Sequence, residues 1–114
     1  MITLWHNPRC SKSRQALALL EEAGAEVTVR RYFEDAPTRT EIEALRKAMG
    51  NPPVIDMMRA GEKTFKELGL TKTSDEDALL SAMASHPILI ERPVAIRDDR
   101  AVIGRPPERV RDLL

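Results

Sequence analysis

Cys10 is the only cysteine in the chain, and its neighbours are of a kind that makes a thiol reactive. Residues 1–20 contain no Asp or Glu, yet they hold His6, Arg9, Lys12 and Arg14, so each formal charge in that block favours a deprotonated sulfur. Cys10 also sits between a short apolar run and a segment of helical spacing that begins at Ser11. A helix start there offers the sulfur unpaired backbone N–H groups and the positive end of the helix dipole. Two other readings stay open. A free cysteine often packs as a small buried hydrophobe, and a helix N-terminus with Ser and Lys donors binds phosphate-like oxyanions without covalent chemistry. The polar, cationic run Arg9-Cys10-Ser11-Lys12-Ser13 and the turn signal Asn7-Pro8 weigh against burial. A thiolate alone repels an oxyanion, so chemistry between the two needs cations from elsewhere in the fold. Arginines of the second half are the candidates.

The elements that must position these groups follow from pattern. Ile2 to Trp5 is an apolar run stopped by Asn7-Pro8, and Ala16, Leu17, Leu20 and Ala23 then recur at helical spacing up to Gly24. Val27 and Val29 alternate with polar residues, which predicts a second strand and a parallel crossover around the first helix. From Glu34 to Ser85 the pattern turns helical. Thr38 with Glu41 forms a capping box ahead of Ile42, Leu45 and Met49, and Gly50 closes that helix. Asn51-Pro52 opens a short helix through Ile55 and Met58 to Gly61, and Ser74 with Asp77 opens another that ends at His86-Pro87. Ile88 to Ile90 is apolar, Val94 to Ile96 and Ala101 to Ile103 form a hairpin about Asp98-Asp99, and Pro106-Pro107 opens a terminal helix to Leu114.

With 114 residues the expectation is one domain spanning 1–114, with a helical insertion at about 35–85 and the order βαβ, helices, ββα. The 18 basic and 18 acidic residues cancel, so no global field draws the molecule to nucleic acid or to a membrane surface. The N-terminus leaves no room for a signal h-region, and no apolar run reaches spanning length, so a cytoplasmic protein is expected. A lone cysteine excludes an internal disulfide and fits a reducing compartment; any disulfide must involve a second molecule.

The loop His6-Asn7-Pro8-Arg9-Cys10-Ser11-Lys12-Ser13-Arg14 resembles the active-site loop of the glutaredoxin-linked ArsC-type arsenate reductases. Met57-Met58-Arg59 with Glu67-Leu68-Gly69-Leu70 resembles the family's first arginine motif, His86 to Pro93 the second, and Ile103-Gly104-Arg105-Pro106 the third. The resemblance spans nearly the whole chain. It implies an α/β thioredoxin-like fold with a mixed sheet, a cysteine that attacks arsenate, and three arginines that hold the oxyanion, matched here by Cys10, Arg59, Arg92 and Arg105. Each arginine also has an ordinary structural role open to it, as a helix-end solvator, a carboxylate partner or a lead into the last helix. Arg92-Pro93 resembles the position of the cis-proline loop of such folds, although trans is the default for an X-Pro bond. His6, Asn7 and Ser13 complete the loop. His6 either lowers the thiol pKa as an imidazolium or only hydrogen-bonds the loop.

The chain ends soon after the third arginine motif and carries a more cationic loop than the plasmid-borne detoxifying type, so it looks closer to a chromosomal ArsC-like branch. Ser13 stands where a Cys-x-x-Cys motif has its second thiol and cannot resolve Cys10. The resemblance therefore implies glutathione as co-substrate and glutaredoxin as partner, arsenate or a similar oxyanion as substrate, and no bound metal or cofactor. Two alternatives stay open: a glutathione-dependent thiol oxidoreductase, which needs Cys10 but not the arginines, and an Spx-like regulator, which often carries the second cysteine that this loop lacks.

Overall fold

The computed structural model describes all residues from Met1 to Leu114. Two parts of the chain, Met1–Asp35 and Arg92–Leu114, build one compact unit, and Ala36–Glu91 builds a second. The second unit thus runs a few residues beyond the 35–85 expected for the insertion.

In the first unit, β1 (Ile2–Trp5), α1 (Ser11–Glu22), β2 (Val27–Arg30), β3 (Val94–Arg97) and β4 (Arg100–Ile103) form a four-stranded sheet of order β2-β1-β3-β4 with one long helix. β1 and β2 are parallel, as a crossover through α1 requires, and β3 pairs antiparallel with both β1 and β4. This is the mixed sheet of a thioredoxin-like fold. Alternation decides the faces: Ile2 and Leu4 of β1 meet Ala16 and Leu20 of α1, and Ala95, Val110 and Leu113 complete the same cluster. Each of Leu4, Leu20 and Leu113, fully buried, contributes about 1.5–3 kcal/mol. Gly24 takes φ +75 just past α1, the left-handed conformation that a helix C-terminus asks of a glycine.

Residues Pro107–Leu113 form a 3₁₀ helix rather than the α-helix expected after Pro106-Pro107. The buried residues are Pro107, Val110 and Leu113, a spacing of three that matches the 3₁₀ period.

The second unit holds α2 (Arg39–Ala48), a 3₁₀ turn at Val54–Met57, α3 (Lys63–Glu67), α4 (Glu76–Ser85) and a 3₁₀ turn at Pro87–Leu89. The capping box of α2 is complete, with Thr38 and Glu41 each accepting the other's backbone N–H. α2 and α4 pack together through faces that bury Ile42, Leu45, Leu79 and Met83. The helix expected from Asn51 to Gly61 is only the turn Val54–Met57, because Met58 leaves it in an extended conformation and bridges Ile90. α3 has no counterpart in the sequence reading. Ser74 does not cap α4: its hydroxyl accepts the Thr71 N–H, and α4 starts after Asp75 with no side-chain cap. No helix is long and apolar enough to cross a membrane.

Candidate active site

Strand direction brings three segments to one edge of the sheet. β3 runs antiparallel to β1, with Trp5 opposite Val94, so the loop leaving β1 meets the residues entering β3. β4 runs back along β3 with Val94 opposite Ile103, so the segment leaving β4 arrives at the same edge. The 6–10 loop, Arg92-Pro93 and Gly104-Arg105 are neighbours for this reason. The Gly104 N–H donates to the Pro93 carbonyl at 2.8 Å, and Arg105 Nε donates to the Arg92 carbonyl at 2.8 Å. Both Arg92-Pro93 and Arg105-Pro106 are cis, where the trans default was expected for the first; the tertiary X-Pro amide has only a weak trans preference.

Cys10 is the N-cap residue of α1, with its backbone extended at φ −93 and ψ 122. Its N–H donates to the Asn7 carbonyl at 2.9 Å, and its carbonyl accepts the Arg14 N–H at 3.0 Å, so the backbone is fixed on both sides. The thiol is partly exposed. Its pKa lies below the ordinary cysteine value despite burial, which raises it; hydrogen bonds from the Ser13 N–H, the Arg92 side chain and the Lys12 N–H, with the Arg92 charge, outweigh that cost. Arg105 Nη2 stands 3.9 Å from Sγ. A thiolate placed between two guanidinium groups at a helix start has the chemistry to act as a nucleophile, and the two cations have the charge to hold an anion beside it.

The loop ahead of Cys10 is built on Ser13. This serine is fully buried, and its Oγ accepts the Asn7 N–H at 3.1 Å and lies 2.7 Å from His6 Nδ1. The Asn7 side chain accepts the Arg9 N–H at 3.0 Å, and Arg14 donates to the Pro8 carbonyl at 2.9 Å. Burial first, then the charges of Arg31 and Arg14, lower the His6 pKa below 6.5. That direction disfavours the imidazolium, and the contact the structure gives His6 is the loop hydrogen bond to Ser13. The imidazole tautomer decides which of the two, the Ser13 hydroxyl or Nδ1–H, is the donor in this contact.

Arg59 belongs to the second unit. Its N–H donates to the Leu89 carbonyl at 2.8 Å, and the Glu91 N–H donates to the Met57 carbonyl at 2.8 Å, so the Met58–Ile90 bridge lays Arg59 alongside Glu91. Arg59 Nε donates to Glu62 at 2.9 Å and Nη1 to Glu91 at 3.0 Å. Burial opposes the Arg59 charge, and the two carboxylates outweigh it. The sequence reading assigned nothing to Glu62 or Glu91. The i,i+3 spacing from Arg59 to Glu62 was a readable signal, whereas Glu91 joins only through the bridge.

Beside the Cys10 loop a groove of about 420 Å³ is lined by His6, Asn7, Pro8, Arg9, Arg31, Phe33 and Glu34. Arg31 and Glu34 were not singled out in the sequence, because they follow a strand end with no motif around them.

The ArsC family model matches residues 5–113. Over 114 residues the chain is 43% identical to an arsenate reductase of Neisseria meningitidis serogroup A, covering 99% of this chain and 97% of that protein. It is 40% identical to an arsenate reductase of Haemophilus influenzae, with coverage of 99% and 98%. A solved structure of an arsenate reductase from Vibrio cholerae superposes with a TM-score of 0.94 at 45% identity, covering 99% of this chain and 97% of that one.

Proposed function

Because this chain belongs to the ArsC family, we propose that it is an arsenate reductase in which Cys10 is the nucleophile and Arg59, Arg92 and Arg105 are the oxyanion ligands. The observation that carries the reading is the Cys10 sulfur between the Arg92 and Arg105 side chains. The thiolate attacks arsenic, and an arsenate oxygen leaves as water while the guanidinium groups offset the negative charge. A second thiol then reduces arsenic from +5 to +3: two thiols become one disulfide and arsenite departs.

With one cysteine in the chain, the second thiol comes from outside, and glutathione with glutaredoxin as the reductant of the mixed disulfide is the proposed source. The groove with Arg9, Arg31 and Glu34 on its walls supports docking of a zwitterionic thiol peptide of this kind. Its two cations suit the two carboxylates of glutathione, and its carboxylate suits the ammonium.

The test is a coupled assay with arsenate, glutathione, glutaredoxin and NADPH on wild type, Cys10→Ser and Arg92→Ala. Arsenate-dependent turnover is expected in wild type, none in Cys10→Ser, and a raised KM for arsenate in Arg92→Ala. Absence of arsenate-dependent turnover in wild type overturns the assignment. Should Arg92→Ala turn over normally, Arg92 is not an oxyanion ligand. The alkylation rate of Cys10 against pH has its midpoint below about 8.5, the value of an ordinary thiol, and a midpoint at or above it refutes the electrostatic account.

A further inference from the structure

We propose that Glu91 is an affinity-setting residue, which weakens oxyanion binding at Arg59 by competing for its guanidinium; this rests on the proposed role of Arg59 as an oxyanion ligand. Arg59 is held by two carboxylates at once, Glu62 on Nε at 2.9 Å and Glu91 on Nη1 at 3.0 Å. The three side chains are only 24%, 23% and 21% exposed, so water does not fully screen them from one another. One cation between two anions makes a cluster of net charge −1. A recess of about 350 Å³ opens at this cluster, lined by Met58, Ala60 and Gly61 in addition to these three, so the Arg59 guanidinium is reachable from solvent.

Arginine has five N–H donors, and the two glutamates use two of them, so an oxyanion can still find donors on Nη1 and Nη2. It finds them in the field of the carboxylates. An anion hydrogen-bonded to the same guanidinium lies roughly 5–7 Å from the Glu91 carboxylate, well within the range at which like charges repel. Each bound oxyanion therefore shares Arg59 with Glu91 or displaces it. An amide in place of that carboxylate keeps an oxygen to accept the Nη1 hydrogen while the negative charge is removed. The Glu62 bond to Nε remains, so Arg59 stays in position.

Glu91→Gln is expected to lower the KM for arsenate by about five- to tenfold with kcat within about twofold, the size of one partly screened charge at this range. A readout without turnover is the concentration of inorganic sulfate that half-protects Cys10 from iodoacetamide, which falls by the same factor. In an Arg59→Ala background both quantities are weakened, and Glu91→Gln has no further effect. Glu62→Gln supplies a second variant, expected to shift both readouts in the same direction, should Glu91→Gln fail to fold. If Arg59→Ala weakens binding while neither glutamine variant tightens it, the competition is refuted and the role of Arg59 survives. If Arg59→Ala changes neither readout, the oxyanion role of Arg59 fails, and this inference with it.

Discussion

Replacing Ser13 by alanine removes one hydroxyl on which two buried partners depend. Ser13 is fully buried, and His6 and Asn7 are each 7% exposed. The substitution strands the Asn7 N–H, now 3.1 Å from the oxygen, and His6 Nδ1, now 2.7 Å from it. A buried polar group left without its partner costs about 1–3 kcal/mol, and the slight exposure of both partners places them in the lower half of that range. The expected loss is about 2–4 kcal/mol, a large part of the whole stability of a domain this size, and it lowers Tm by roughly 8–20 °C. Urea unfolding followed by the fluorescence of Trp5, the single and buried tryptophan, measures it. Ser11→Ala, at an exposed position on the first turn of the same helix, is the control and stays within about 0.5 kcal/mol of wild type. A Ser13→Ala loss no larger than that of the control would show that the hydroxyl does not organise the loop.

Three further outcomes follow from the same structure. The folded chain keeps His6 below 6.5 through burial and through Arg31 and Arg14, so the unfolded chain binds a proton that the folded chain declines. Stability is full above about pH 6.5 and falls as pH drops below it; His6→Asn flattens that part of the slope in urea midpoints taken at several pH values between about 5 and 7.5. Gly104→Ala places a Cβ 2.8 Å from Pro93 Cγ and 3.1 Å from a Val110 methyl, and is expected to cost about 1–3 kcal/mol in thermal unfolding. Thr38→Ala removes the acceptor of the Glu41 N–H at 3.2 Å, costs about 1 kcal/mol, and speeds amide exchange in the first turn of α2.

What could be read from the sequence was local. The apolar run at 2–5, the alternation of Val27 and Val29 with polar residues, the helical spacing of Ala16 and Leu20, and the Thr38–Glu41 box each act over a few residues, and each produced its element. Cys10 at a helix start was legible for the same reason. The departures came where a distant partner decided the outcome. Met58 ends the turn at 54–57 because Ile90 pairs with it, and no pattern around Met58 announces that. Ser74 has the sequence of a cap, but its hydroxyl is taken by the Thr71 N–H. The last segment has the prolines of a helix start, and its 3₁₀ form follows from burying Pro107, Val110 and Leu113 together. In the site, the convergence of Arg92 and Arg105 on one sulfur depends on strand pairing, and the hold of Glu91 on Arg59 on a bridge between segments 32 residues apart.

The β3–β4 hairpin also works as a ruler for the evolution and redesign of this chain. Arg92 and Arg105 both lie just beyond the open end of one ladder, and the Val94–Ile103 to Arg97–Arg100 pairing fixes their register at the sulfur. The tip, Asp98 and Asp99, lies outside that ladder, with Asp98 at φ +54. Insertions at the tip are therefore a neutral route to variation, open to a tag, a probe or a longer loop. A single residue deleted within the paired strands, at 95–97 or 100–102, has no such freedom, since it shifts one arginine by a residue and turns the alternate side chains of its strand to the opposite face.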